Sequence, residues 1–441
     1  MHLRCQPTSL LLLTLKLIAG SLLITSLPVA AQTSPIPTTG NEPNPNIDRF
    51  PQPLPKPSPL PPEDKPIIPN IPTPTPLPED STIQIPVSKI EVTGSTILSQ
   101  DEIIDVTKSF EGRSVTLKDL RNITDKITQF YINKGYITSR AVLADQTITD
   151  GIVKIIVIEG SLEKIEVQGT RRLNKSYIRS RIRLGVERPL KPGDIEEQLR
   201  LLKLDPALKD ITEATLKPGT KLGQSILSIT VKEADAISGF VGVDNYSPPA
   251  VGSERLGSVI SYRNPIGVGD ELSTSYYRST AGGSNSFDFN YRVPINPMNG
   301  TLQFRYAPSD SKIIRSEFSD RFDITSDREL YEISFRQPLV RKLREEFALS
   351  LGFSLQDGQT FLDGVPAPLL ANGSDDKANT KTRVLKFGQD YIKRDTQGAW
   401  AVRSQFSLGI DVFDATVNAD SQPDGRFFSW LGQLQRVQRL N

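Results

Sequence analysis

From Ile237 to Asn441 the chain is a series of short runs in which apolar and polar residues alternate, and this period of two is its strongest constraint on fold. Phe287-Asp288-Phe289-Asn290-Tyr291-Arg292-Val293 is the clearest run. A strand of that kind has one apolar and one polar face, so it suits a sheet set between oil and water. The alternation predicts strands at Ile237–Tyr246, Arg255–Arg263, Glu271–Arg278, Ser286–Val293, Thr301–Tyr306, Glu329–Gln337, Glu346–Gln356, Thr382–Tyr391, Ala399–Asp411 and Phe427–Gln438. Phe347, Leu349, Leu351, Phe353 and Leu355 share one face of a strand, and Ala348, Ser350, Gly352, Ser354 and Gln356 share the other.

The connections alternate too. Short links fall at Asn264–Asp270, Pro294–Gly300, Pro338–Glu345 and Ile392–Gly398. Long ones fall at Ser247–Glu254, Ser279–Asn285, Ala307–Arg328, Asp357–Lys381 and Val412–Arg426. Short turns on one rim and long loops on the other characterise an up-and-down transmembrane β-barrel. A soluble antiparallel domain also alternates its faces, but it does not require loop lengths to alternate. Tyr246, Tyr262, Phe287 and Tyr306 lie near strand ends, as aromatic girdles do.

The other end of the chain fits that reading. Arg4, an apolar stretch from Leu10 to Leu27 interrupted by Lys16, and Val29-Ala30-Ala31 read as a secretory signal peptide over Met1–Ala31. His2 is the only histidine and Cys5 the only cysteine, so cleavage leaves a mature chain with neither. Imidazole and thiolate nucleophiles, histidine bases and His/Cys metal sites are thereby excluded. There is no phosphate-cradling glycine loop and no carboxylate pair that stands out, so the chain reads as no enzyme, with no cofactor, metal or nucleotide. A net charge of +1 gives no case for nucleic acid.

Residues 32–80 are dense in proline, with Pro51, Pro53, Pro55, Pro57 and Pro59 at every second position. Such a segment has little to bury and predicts an extended linker. A repeat follows: Lys89-Ile90-Glu91-Val92-Thr93-Gly94 returns as Lys164-Ile165-Glu166-Val167-Gln168-Gly169. In the first copy, residues 81–160, Ser99 can cap a helix over Gln100–Phe110. A second helix, Leu117–Lys134, carries Leu117, Leu120, Ile123, Ile127, Phe130 and Tyr131 on one face, and strands follow at Ile137–Leu143 and Gly151–Ile158. In the second copy, residues 161–235, Asn174 can cap Lys175–Leu184, and Pro192 opens a helix with Ile195, Leu199 and Leu202 on one face. Strands follow at Ile211–Leu216 and Ser225–Lys232. Each copy is a small β-α-α-β-β module that leads into the barrel region, residues 236–441.

Gly135-Tyr136-Ile137-Thr138-Ser139-Arg140, Gln146, Gly151 and the closing Val157-Ile158-Glu159-Gly160 resemble the polypeptide-transport-associated (POTRA) module of the ShlB/FhaC/HecB-type hemolysin secretion/activation proteins. Val243-Asp244-Asn245, Gly252, Arg255 and Asn264-Pro265-Ile266-Gly267-Val268-Gly269-Asp270 resemble that family's first barrel strands and first turn. Phe335-Arg336-Gln337-Pro338-Leu339 and Arg403-Ser404-Gln405-Phe406-Ser407-Leu408-Gly409 are similar to cyanobacterial members. The resemblance implies two periplasmic α+β POTRA modules followed by an all-β antiparallel transmembrane β-barrel. About ten strands are present here, where the resembled fold has sixteen. It also implies a bacterial outer membrane, lipid around the barrel, and export of one large β-helical exoprotein that passes unfolded through the lumen. One family feature, a Val-Arg-Gly-Tyr/Phe motif on a loop folded into the barrel, does not occur in this sequence and would lie beyond Asn441. On that count the chain alone is expected not to close a barrel.

Two sets of site residues follow. An exoprotein can dock by adding a strand to an exposed edge, and the edge candidates are Arg140, Ala141, Val142 and Leu143 in the first module and Thr212, Glu213, Ala214, Thr215 and Leu216 in the second. Arg292, Arg305, Arg336 and Arg403 fall on the polar face and are candidates to line the lumen, against the plainer reading of a polar interior satisfied by water and carboxylates. Lys89–Gly94 and Lys164–Gly169 read as first strands that end on a turn glycine, and Asn264–Asp270 as a tight turn. A barrel-assembly factor or a passive porin-like surface barrel are the competing functions.

Overall fold

Ser99 decides where the first helix begins. Its hydroxyl accepts the amide of Glu102 at 3.2 Å, and the Glu102 carboxylate returns to the Ser99 amide at 2.9 Å, so two otherwise orphaned donors are satisfied at once. The computed structural model describes residues 67–68, 84–148, 150–314, 321–368, 374–375, 377–418 and 424–439. The signal peptide expected at Met1–Ala31 lies outside the described residues, as does all of the expected linker except Ile67 and Ile68.

The first module runs β1 (Gln84–Val87), β2 (Lys89–Thr93), α1 (Gln100–Thr107), β3 (Arg113–Thr116), α2 (Leu117–Asn133), β4 (Arg140–Leu143) and β5 (Ile152–Ile158). Its sheet has the order β2-β5-β4, with β2 parallel and β4 antiparallel to β5. The expected α2 face is the core: Leu120, Ile123, Ile127 and Tyr131 are almost fully buried against Val153, Ile155 and Val157 of β5. Each such aliphatic side chain contributes about 1.5–3 kcal/mol relative to exposure. The expected strand from Ile137 begins only at Arg140, because the segment before it is a turn tied by Ser139 to Tyr136. The β1–β3 pair was not foreseen, since two four-residue strands carry too little alternation to read.

The second module repeats the plan with β6 (Ser161–Gln168), α3 (Lys175–Ile182), α4 (Pro192–Lys203), β7 (Leu208–Pro218) and β8 (Gln224–Glu233), in the sheet order β6-β8-β7. Asn174 caps α3 by accepting the Ser176 amide, and Pro192 stands in the first turn of α4. Ile195, Leu199 and Leu202 are buried as expected. The repeated glycine has a physical reason in both copies. Gly94 and Gly169 have φ of 83° and 85°, and a Cβ on either would run into the backbone carbonyl of Val157 or Val231. The segment expected to have little to bury and to run as an extended linker does bury one side chain: Ile68 is 7% exposed and belongs to the core of the second module, with Ile67 packed beside it.

The remaining strands are β9 (Ile237–Asp244), β10 (Arg255–Arg263), β11 (Glu271–Ser279), β12 (Ser284–Pro294), β13 (Thr301–Lys312), β14 (Ile324–Arg341), β15 (Glu345–Leu362), β16 (Val365–Pro366), β17 (Asn379–Arg394), β18 (Gly398–Gly409) and β19 (Phe427–Gln438). All but β16 form one up-and-down antiparallel sheet in chain order from β9 to β19, and β16 pairs with the end of β15. Among the described residues no pairing joins β9 to β19. Leu256, Ile260, Phe304, Ile333, Leu351, Phe387, Trp400 and Leu408 stand exposed on one face, while Ala348, Ser354 and Ala401 are buried on the other.

Four strands continue into the two longest of the expected links. The sequence pattern makes Ala307–Arg328 and Asp357–Lys381 long loops, yet β13 and β14 continue into the first and β15 and β17 into the second. At 18 residues, β14 and β15 each extend about 60 Å, whereas a tilted membrane crossing takes about 9–11 residues. The additional length lies at the long-loop end, where Ser309↔Arg328 and Asp310↔Asp327 still pair. Both faces are polar there, so the pairing continues where the alternation that reveals it has stopped.

Candidate docking edges, a module–sheet joint and a charge-paired inner face

Both predicted docking strands lie at a sheet edge, but the edges differ. β4 spans four residues, and its Ala141 amide donates to the Thr128 hydroxyl of α2 at 3.0 Å, so α2 already covers part of that edge. β7 spans eleven residues, and among the described residues no strand pairs along its outer side. Thr212 and Glu213 are exposed, while Ala214 is buried in the module core. A register shift between Ile211 and Glu213 bulges the first half, with the Thr212 hydroxyl turned to the Thr230 carbonyl at 3.2 Å. From Glu213 to Pro218 the register is regular. The Gly219 amide donates inward to Gln224 at 2.7 Å, so the alternation of strand amides turns those of Ala214 and Leu216 toward the open edge. Pro218, which has no amide to offer, falls on the same outward side, where proline is tolerated in sheets. Sequence reasoning missed that β2 and β6 are edge strands as well, since parallel pairing to β5 and β8 is a long-range fact.

The turn Asn264–Asp270 is more than a turn. Gly269 has φ of 78°, and a Cβ there would lie 2.5 Å from the ring of Tyr177 on α3. Gly267 carries the carbonyl that accepts the Asn174 amide at 2.8 Å, beside the N-terminus of α3. Arg172 donates to the Arg263 carbonyl at 3.1 Å and stacks its guanidinium over Tyr262. Next to this contact, Tyr177 donates to Asp205 at 2.7 Å, and the Arg181 guanidinium lies 3.4 Å from the centre of the Tyr177 ring. Arg181 reaches the Asn299 side chain in the following turn at 3.3 Å, and Glu197 of α4 accepts the Leu343 amide at 3.3 Å in the turn after that. Three successive short turns therefore rest on the second module. Burial, reinforced by Asp205, raises the Tyr177 phenol above its usual range, and burial lowers the Arg181 guanidinium.

All four predicted arginines lie on the polar face, and each has a carboxylate partner. Arg292 pairs with Glu271 at 3.1 Å and Arg305 with Asp288 at 2.6 Å. Arg336 pairs with Glu346 at 2.6 Å and approaches Asp390 at 3.7 Å, and Asp390 also holds Arg403 at 2.8 Å. Glu346, Arg336, Asp390 and Arg403 thus form one chain of charges across β15, β14, β17 and β18. Lys386 reaches over β15 to Glu332 at 2.5 Å. Small residues make that reach possible, because Gly352 faces Lys386 and Ser354 faces Glu332 across the ladders. Carboxylates on neighbouring strands thus meet all four arginines, which is the carboxylate part of the plainer reading. Which carboxylate meets which arginine is not legible in the sequence, because each partner comes from another strand.

Comparison with known proteins places this architecture. Residues 85–160 match the family described as POTRA domain, ShlB-type, and residues 223–441 match haemolysin secretion/activation protein ShlB/FhaC/HecB. The outer membrane transporter CdiB of Escherichia coli is 27% identical over 353 residues, covering 78% of this chain and 58% of that protein. The heme/hemopexin transporter protein HuxB of Haemophilus influenzae (strain 86-028NP) is 29% identical over 174 residues, covering 39% of this chain and 30% of that protein. The chain thus spans well under two thirds of the length of these curated relatives. Among solved structures, CdiB from Escherichia coli superposes with a TM-score of 0.58 at 24% identity, covering 80% of this chain and 66% of that one, and so shares the fold.

Proposed function

We propose that this chain, which matches the haemolysin secretion/activation proteins of the ShlB/FhaC/HecB type over residues 223–441, acts as an outer-membrane translocator of a two-partner secretion system. The observation that carries the proposal is the join between its parts. A tandem of periplasmic-type modules is fixed through α3 to the short-turn rim of a sheet with one exposed apolar face and one charge-paired polar face. A porin has no use for such modules.

In this reading the apolar face meets outer-membrane lipid and the short turns lie in the periplasm. A large secreted β-helical exoprotein is recognised there before it crosses. The β7 edge from Glu213 to Leu216 is the docking strand, since it offers a regular run of outward amides, while part of the β4 edge is covered by α2. The exoprotein passes unfolded along the polar face. Paired arginines and carboxylates suit that path: they keep it polar without a net charge that would trap one class of segment. The sequence carries no phosphate-cradling glycine loop, and in this reading folding of the exoprotein outside the cell supplies the drive.

The edge is tested with Leu216→Pro, which removes an outward amide without opening the β7–β8 ladder, beside Leu216→Ala, which removes the same side-chain packing and keeps the amide. Exoprotein secretion is expected to fall with the proline variant and to persist with the alanine variant, at equal amounts of membrane-inserted chain. Equal secretion by both variants would remove β7 as the docking strand.

A further inference from the structure

Arg383 is on the wrong face of the sheet. It stands opposite Leu355 in the β15–β17 ladder and two residues from Leu385, so it shares the apolar outer face with Leu351, Phe353 and Phe387. A guanidinium facing lipid at that position is costly. Yet Arg383 is only 4% exposed. It is covered by the connection that follows β18. Arg383 donates to the Phe413 carbonyl at 3.0 Å, to the Gln356 carbonyl at 3.2 Å and to Asp357 at 2.5 Å. The connection is fastened beside it by Ile410 to the Arg383 carbonyl at 2.9 Å and by Thr416 to the Lys381 carbonyl at 2.9 Å, with the Lys381 amide returning to the Thr416 hydroxyl at 2.8 Å. Ala415 and Thr416 are buried by this packing.

What the connection presents in place of the charge is apolar. Phe413 is 69% exposed, and its ring lies 6.2 Å from that of Phe353, within the apolar face. Val412 and Val417 stand exposed on either side. Phe413 and Asp414 are held at φ of 48° and 58°, a left-handed backbone that aspartate tolerates but that costs a phenylalanine of order 1 kcal/mol or more. That strain is set against an outward-facing phenylalanine in a loop, where burial gives nothing in return. Asp411 and Asp414 are exposed too, which limits any insertion to the depth of the ring.

We infer that the segment Val412–Val417 is a lipid-contact element that covers Arg383 and seats the Phe413 ring among the acyl chains at the long-loop rim of the membrane. The occupant is bilayer lipid, because the ring continues the apolar face of Phe353, Leu351 and Phe387 and is flanked by carboxylates at headgroup height. The inference rests on the membrane reading proposed above, and its test separates the two.

In a Cys5→Ser background the full chain has no cysteine, so one spin label can be placed at a time at Phe413→Cys, Val417→Cys or, as the barrel reference, Phe387→Cys. In lipid nanodiscs, labels at 413 and 417 are expected to be more accessible to oxygen than to a nickel chelate, at a shallower depth than the label at 387. A label at 387 in lipid with those at 413 and 417 open to the nickel chelate would overturn this inference and leave the barrel reading standing. A label at 387 in water would overturn both. Dipolar broadening between labels at 413 would also overturn it, by showing that a second copy of the chain covers the ring.

Discussion

The carboxylate of Glu233, at the end of β8, accepts the backbone amide of Leu173 at 2.8 Å and those of Arg171 and Arg172 at 2.6 and 2.9 Å. One side chain thus fixes the turn that leads into α3, the helix on which the first two short turns of the sheet rest. Glu159 does the same in the first module, accepting the Thr96 amide and the Tyr131 hydroxyl, both at 2.6 Å. The two closing motifs, Val157-Ile158-Glu159-Gly160 and Val231-Lys232-Glu233-Ala234, therefore mark the same structural device.

Glu233 should make the second module acid-sensitive. Burial works to raise its carboxyl, but the amides of Leu173, Arg171 and Arg172, helped by the Arg172 guanidinium, outweigh burial and hold it below the usual range. A depressed folded value means that its contribution is complete above the unfolded value of about 4.3 and is lost as pH falls through the lower folded value. Thermal melts of the full chain in detergent should show the module losing stability as pH drops below about 4.3. Glu233→Gln should flatten that dependence, and Glu233→Ala should cost about 1–3 kcal/mol at neutral pH.

Gly269 should tolerate no side chain. Alanine there meets the Tyr177 ring and takes a positive φ, at a cost of about 1–3 kcal/mol that falls on the joint and not on either part. Spin-label distances between α3 and the sheet should broaden in Gly269→Ala, with the module's own melting unchanged. Gly282, also at φ of 78° but with open space around it, is the control.

Asp390 serves two arginines, so its loss should exceed the loss of either partner. Asp390→Asn leaves Arg336 with Glu346 alone and Arg403 without its carboxylate. In thermal melts of the full chain in detergent, Asp390→Asn should lower the melting temperature more than Arg403→Ala or Glu346→Gln does. All these groups are partly exposed, so the stability effect of each change should stay on the order of 1 kcal/mol or below.

Ile68 should behave as part of the second module. Ile68→Asp places a charge where the side chain is 7% exposed, within the core of that module. Its melting temperature should fall, and protease cleavage between residues 60 and 80 should accelerate. Ile67→Asp should do less, because Ile67 is only partly buried.

Much of this was legible in the sequence because the signals are local. Ser99, Asn174 and Pro192 announce helix starts through groups that lie within a few residues of one another. The β9–β19 faces are legible because lipid-type burial imposes strict alternation. Legibility ends where that pressure ends. Beyond Tyr306, β13 continues through Ala307, Pro308, Ser309, Asp310 and Ser311, where apolar and polar residues no longer alternate. The Arg403–Asp390 pair, the Gly269–Tyr177 contact and the burial of Ile68 all join distant segments, and no local pattern carries them. The covering of Arg383 by Phe413 is of the same kind: the sequence shows an unremarkable long connection, and only the ladder register places its arginine on the apolar face.

The central claim is that this chain exports a partner protein, and the most direct measurement is the protein content of culture medium from cells with and without it. Removal of the gene should take one large exoprotein out of the medium and leave other outer-membrane proteins at normal levels, and the intact gene supplied in trans should restore that exoprotein. A medium unchanged by the deletion, or a general fall in outer-membrane proteins, would contradict the account.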